Sequence, residues 1–322
     1  MKRRLLKLYP LLVLLAVAAF LLGVQRHDAN SPGSPSVFRR LEWMTHDWRV
    51  RVAYPLSAPS AATNLAAIEI EDKTVRWMNR ELPDKPRWPF SYYYYGIFID
   101  ELKAQGATAA AFDVFFPMQD GSRFTWSKLT GTTNPVSSQG FFAERLRTNG
   151  NVILAVANDH ENPGRLDFPQ DQLRDSAKLG HAIGSFDKDG VLRAVPVFLD
   201  DPQHGRYWAL GVELAAQQLG LDLNNAQILP DRVILRGPGG IVREIPTDGQ
   251  RAMVLDWTVN HNHPRPEQRV KGLIFRAVLE NGLARIRGGT TRDLGLAGRL
   301  VILGAGSSGG NIYDRGPTAL GT

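Results

Sequence analysis

"SYYYYGIFIDELKAQGATAAAFDVFF" runs from Ser91 to Phe116, and its reading decides the fold. Tyr94, Phe98 and Leu102 recur every four residues, which sets them on one face of a helix. Ser91 stands where an N-cap belongs and Gly106 where a helix stops. The run from Ala107 to Phe116 is then almost continuously apolar, the pattern of a strand buried on both faces. "LAAIEIE" (Leu65 to Glu71) reads as an earlier strand. Strand, helix and strand in this order predict a parallel pair joined by a right-handed crossover.

The same alternation continues along the chain. "NVILAVA" (151–157), "RVILR", "AMVLDW" and "RLVILGA" read as strands, and "ALGVELAAQQLG" and "LIFRAVLENGLARI" as helices. "HAIGSFDKDGVLRAVPVFL" reads as two strands around a turn at Asp187-Lys188-Asp189-Gly190. Between Pro117 and Gly140 the composition changes to Gly, Ser, Thr and Pro, which predicts a lid or a disordered loop. The expected fold is α/β: a mixed, largely parallel sheet flanked by helices and preceded by one transmembrane helix.

That helix is read from the amino end. Lys2, Arg3, Arg4 and Lys7 carry four of the six net positive charges and stand before an uncharged run from Leu8 to Val24. The run is at the short end of what crosses a bilayer core of roughly 30 Å, and Leu5 and Leu6 lengthen it if Lys7 snorkels. The basic side stays in the cytoplasm, so the bulk of the chain is expected outside. The Ala16-Val17-Ala18 triplet lies inside the apolar run, which favours an uncleaved anchor over a signal peptide. Residues 1–7 are thus a cytoplasmic flank, 8–24 the anchor in the lipid bilayer, 25–36 a polar linker and 37–322 the folded outer part.

"SVFRRLEWMTHDWRVRV" opens that outer part, with Val37, Leu41, Met44, Trp48 and Val52 at helical spacing and Ser36 as a cap. The stripe either docks on the domain or pairs two copies into a homodimer. The near-balanced charge beyond residue 7 argues against a nucleic-acid partner. There is no cysteine, which excludes disulfides, thiol nucleophiles and cysteine-bound metals.

"RLVILGAGSSGG" (Arg299 to Gly310) carries two motifs. Gly304, Gly306 and Gly309 have dinucleotide spacing, but Gly316 and Pro317 block the helix that such a site requires. Gly306, Ser308 and Gly310 match a nucleophile elbow, yet no histidine follows Ser308. An envelope hydrolase using Ser308 with an earlier histidine is an alternative function, and a structural or assembly protein another. The glycines are otherwise read as turn formers.

Five blocks, in order, carry a resemblance: "LEWMTHDWRVR", "AAIEIEDKTV", "RWPFSYYYYGIFIDELKAQGATAAAFDVFF", "IGSFDKDGVLRAVPVF" and "LAGRLVILGAGSSGGNIYDRGPTAL". Together they resemble the type-two CHASE domain, an extracytoplasmic sensory domain of bacterial signalling proteins, from about Val37 to Leu320. Where this chain has Glu71-Asp72, the family more often has Asp. The resemblance implies a non-catalytic sensor on the outer side of the bacterial cell membrane. It is usually followed by three membrane helices and a cytoplasmic cyclase or kinase; no further apolar run of spanning length precedes Thr322, so that continuation is expected to be missing from this chain.

The resemblance names no ligand. Ligands of α/β sheets gather at the carboxyl ends of parallel strands. Asp72, Asp113 and Asp314 lie at or near such ends, and would share one rim if their strands are neighbours. Such a rim suits a hard cation, a polyol or an amine; alternatively each aspartate caps a turn or pairs with an arginine. Trp88 covers a pocket with Tyr92 or Tyr93, or packs in the core. No cofactor and no metal site is expected: Asp187 and Asp189 are read as turn formers, and His261 and His263 as part of a solvated loop.

Overall fold

The computed structural model describes residues 13–24, 26, 37–56, 61–159, 161–162, 164–257 and 269–306. Residues 13–24 are helical, and their apolar side chains, Leu14, Phe20 and Leu22 among them, are exposed. Among the described residues no helix is long and apolar enough to cross a membrane. The expected span 8–24 is described only from residue 13, while the basic flank and most of the linker lie outside the described residues.

Helix α1, Val37–Ala53, follows. Strand β1 (Leu65–Ile70) leads into α2 (Asp72–Glu81), then α3 (Tyr93–Ala104) and β2 (Ala109–Asp113). Next come α4 (Ser138–Asn149), β3 (Val152–Asn158), the two-residue β4 (Leu166–Asp167) and β5 (Lys178–His181). An inserted antiparallel region holds β6 (Ser185–Phe186), β7 (Leu192–Pro196), β8 (Phe198–Asp201) and β9 (Gly205–Trp208). It continues through α5 (Leu210–Leu219), β10 (Asp222–Ile228), β11 (Arg232–Arg236), β12 (Val242–Pro246) and β13 (Ala252–Val254). The chain then returns to the main sheet through β14 (Lys271–Ile274), α6 (Phe275–Arg287) and β15 (Leu300–Ala305).

Six strands of the main sheet are parallel, in the order β14–β1–β15–β2–β3–β5, and β4 adds an antiparallel pair at the end of β3. The expected neighbours β1 and β2 are therefore parallel but not adjacent. Strand β15 lies between them because α6 carries the chain from β14 across β1, and Leu300 to Leu303 pair on both edges. "RVILR" and "AMVLDW" do form strands, but in the antiparallel insertion rather than the main sheet.

The two faces of β2 explain how the layers pack. Ala110 and Phe112 face α3, α4 and α6, where Phe98 stacks on Phe275 at 4.8 Å and Tyr95 meets Phe116 edge-on at 5.0 Å. Ala109 and Ala111 face the other way, and their small size admits Leu210 and Leu214 of α5. Each fully buried phenylalanine on the aromatic face contributes about 2–3 kcal/mol of apolar transfer. Gly96 of α3 is required by this packing: a Cβ there would lie 2.5 Å from the Phe141 ring of α4.

Ser91 is not the side-chain cap of α3; only its carbonyl contributes, accepting from Tyr94 N–H. The capping groups come from far along the chain: the Asp120 carboxylate accepts from Tyr92 N–H at 2.6 Å, and Ser138 Oγ from Tyr93 N–H at 2.8 Å. Ser138 Oγ–H donates in turn to Asp120, and Ser122 N–H donates to the same carboxylate at 2.9 Å. Burial alone would raise the Asp120 pKa, but these hydrogen bonds outweigh it and hold the group below the usual carboxylate range. The segment read as a lid or disordered loop is thus tied down at Asp120 and braced by a two-residue ladder, Arg123–Phe124 with Val136–Ser137.

Candidate functional site

The segments that leave the C-terminal ends of β1 and β2 wall a cleft of about 700 Å³. Tyr93 and Tyr94 of α3 form part of its lining, with Leu82 to Asp84 from one segment, Ser122 to Trp126 from the other, and Leu283 and Arg287 from α6. The Tyr93 hydroxyl donates to Asp84 Oδ2 at 2.7 Å, and the Tyr94 hydroxyl donates to Oδ1. Burial first, and the acceptor Asp84 second, hold the Tyr94 hydroxyl protonated well above the ordinary phenol range. Tyr93 is shifted the same way, chiefly by burial.

Phe124 stacks on Tyr93 at 4.4 Å, and the Arg287 guanidinium lies 5.9 Å from the Trp126 ring. Arg123 enters the lining from the segment that follows β2 and is itself steadied by the Pro135 carbonyl at 2.6 Å. Aromatic walls, one carboxylate already engaged by two hydroxyls, and two guanidinium groups make a surface that can bind. The tyrosine hydroxyls already donate to Asp84, and burial keeps them protonated, so neither is set up as a base.

The sequence-predicted residues divide. Asp72 opens α2 just beyond β1, and Asp113 ends β2. Their strands flank β15, whose Gly304 pairs with Glu69 on one side and Asp113 on the other. The strands that Asp72 follows and Asp113 ends thus lie on either side of β15 and are not paired with each other. Asp314, Ser308, His261 and His263 lie outside the described residues. Trp88 packs partly buried against the aromatic core, edge-on to Phe90 at 5.2 Å, and does not line the cleft; Tyr93 does. Gly306 is explained by close approach: a Cβ there would stand 2.6 Å from a Glu69 carboxylate oxygen. Among the described residues no group of three or more His, Asp or Glu is arranged to hold a metal.

Sequence reading missed the clamp on α1. All five N–H groups of Arg193 are bound. Nε and one Nη donate to Asp47 at 2.8 and 2.7 Å, one Nη reaches Asp187 at 2.9 Å, and both Nη groups reach Asp189 at 2.9 and 2.7 Å. The Trp43 ring lies 5.3 Å from the guanidinium. Arg193 first among several partners lowers the pKa of Asp189; at Asp47 burial opposes, but Arg193 and His46 outweigh it. Asp187 and Asp189 are more than turn formers: they complete a socket whose key is Asp47. The signal was present as the acidic residue of "THDW" and the arginine after the turn, but nothing in their spacing joins two sites 146 residues apart.

A mostly parallel sheet flanked by helices, with a cleft walled by the segments leaving its strands, defines the class: an α/β fold. The family is more particular. The CHASE2 domain model matches residues 12–321, and the chain belongs to that family of extracytoplasmic, non-catalytic sensory domains. No curated protein and no solved structure matches the chain.

Proposed function

We propose that this chain is the sensing part of a bacterial signalling receptor and that the cleft at Tyr93, Tyr94 and Asp84 takes its ligand. In this reading residues 8–24 anchor it in the cell membrane, with the amino terminus inside and the folded part outside. The observation that carries the ligand site is the cleft itself: an aromatic-walled volume in the usual size range of small-molecule sites, with Arg123 and Arg287 as charged groups for an anion. The ligand class that fits is a small aromatic or apolar molecule bearing a carboxylate. Benzoate and indole-3-carboxylate, set against their neutral amides, are the probes. The acids should raise Tm in a concentration-dependent way and the amides should not. Arg287→Gln should weaken the acids at least about tenfold, a loss of about 1.4 kcal/mol.

A second ligand position, the rim of Asp72 and Asp113 with Asp314, is favoured by the adjacency of their strands to β15. If the acids leave Tm unchanged while calcium ion or a small amine raises it, and Asp113→Asn abolishes that rise, the rim is the site and the cleft is not. The anchoring is tested separately: a reporter fused after residue 36 should be active only outside the cytoplasm. Ligand binding would reach the membrane through α1, provided the domain has two states of different affinity.

A further inference from the structure

Helix α1 is held by the wrong face for an ordinary amphipathic helix. Its inward positions are Trp43, His46, Asp47 and Val50, all partly buried around the Arg193 clamp. Leu41, Met44, Trp48 and Val52 of the predicted stripe point away from the domain; Met44 and Trp48 are 67% and 65% exposed. Phe38 is exposed too, on the flank that lines a cavity with Trp43, His46 and Arg193. The bidentate Asp47–Arg193 contact fixes this orientation, so the apolar face is presented outward by design of the polar one.

The exposed charge beside the stripe is mostly of one sign. Arg40 and Arg51 border it on one side and Arg49 on the other, while Glu42 is the one exposed acid of the helix. A second copy laid on this stripe would bring these arginines towards one another in either orientation, which like charges oppose. An anionic surface meets all of them. A tryptophan and aliphatic residues flanked by arginines are also the composition that settles at a headgroup layer. The position agrees: Phe38, at the start of α1, touches Phe20 of the apolar helix 13–24 at 5.7 Å, edge-on.

We propose that α1 lies on the outer surface of the anionic bilayer, with Leu41, Met44 and Trp48 among the acyl-chain ends and Arg40 and Arg49 on lipid phosphates. This contact rests on the anchoring proposed above. It makes α1 a lever with one face on the lipid and the other in the Arg193 socket.

The chain has no cysteine, so Met44→Cys carries a single environment-sensitive label on an exposed position, and Gln227→Cys of β10 serves as a water-facing control. The full chain is reconstituted into phosphatidylcholine vesicles with and without phosphatidylglycerol, and flotation is measured first. The label at 44 should shift to the blue and be quenched by brominated lipid, more strongly with phosphatidylglycerol; the label at 227 should do neither. Arg40→Gln with Arg49→Gln should remove the phosphatidylglycerol increment, as should about 0.5 M salt by screening. A chain that floats while the label at 44 behaves like the one at 227 overturns the surface contact and leaves the anchoring intact. Disulfide coupling of two copies at position 44 without lipid quenching also overturns it, in favour of a second copy. A chain that fails to float overturns the anchoring and this contact together.

Discussion

Two carboxylate–arginine nodes hold this molecule in different ways. In the core, Glu101 of α3 is fully buried and receives Arg285 at 2.8 and 3.1 Å, Asn281 at 2.7 Å and Gln105 at 2.7 Å. It joins α3 to α6, two helices that also share stacked rings. At the periphery, Arg193 collects three aspartates and joins α1 to the inserted region, with only limited apolar contact beside it. The first node is one polar part of a large apolar junction. The second is most of the junction. Losing one should therefore damage the whole fold, and losing the other should free a single helix.

The largest effect is expected from Glu101→Ala. It leaves the partly exposed Arg285 and the buried Asn281 without their acceptor, at about 3 kcal/mol, below the full cost of a wholly buried pair. A cooperative Tm decrease of roughly 5–10 °C in a thermal melt would bear this out; an unchanged Tm would show that the node is dispensable. Arg193→Gln should behave otherwise. Amide exchange over residues 37–53 should speed up at least about tenfold, equivalent to about 1.4 kcal/mol of local opening, with far less change in the global melt. Arg193→Lys should resemble Arg193→Gln, since an ammonium cannot span Asp47, Asp187 and Asp189 at once.

Acid sharpens the same comparison. Asp47 and Asp189 are held below the ordinary carboxylate range, so their contribution is present above that range and disappears as pH falls through the lowered values. Protection of α1 should be level from neutral pH down to about 5 and fall below about 4.

Glu213 of α5 is expected to show the smallest effect, with the opposite sign. Burial pushes its carboxyl up to about 7 against a weaker opposing pull from Lys178. Its favourable contribution is complete at pH below the ordinary glutamate value and is lost as pH rises through about 7. Glu213→Gln should raise Tm by a few degrees at pH 8 and by nothing at pH 5; equal gains at both would refute the burial argument.

Much of the fold was legible along the chain. Nearly continuous apolar runs became the main-sheet strands β2 and β3, because burial on both faces leaves no polar alternation, while β1 and β15 were read from short apolar runs and keep partly exposed positions. The Tyr94, Phe98, Leu102 face predicted α3 for the related reason that its period matches the helix. Strand order was not legible: β1 and β2 are 39 residues apart from end to start, and nothing in either says that β15 pairs between them. Of the candidate residues, Tyr93 proved to line the cleft, whereas Trp88 beside it turned into the core. A tryptophan satisfies both environments equally well on paper.

The sequence by itself determined the layers, the family blocks and the basic-apolar composition of residues 37–53, though not which way the apolar stripe faces. Those are local properties, set by composition and period. Tertiary structure alone decided that Asp84 would accept two tyrosine hydroxyls, that Asp120 and Ser138 would cap amides 28 and 45 residues earlier, and that Asp47 would meet Arg193. Each is a directional contact between groups remote in the chain, and its partner is chosen only when packing brings one donor and one acceptor within 3 Å.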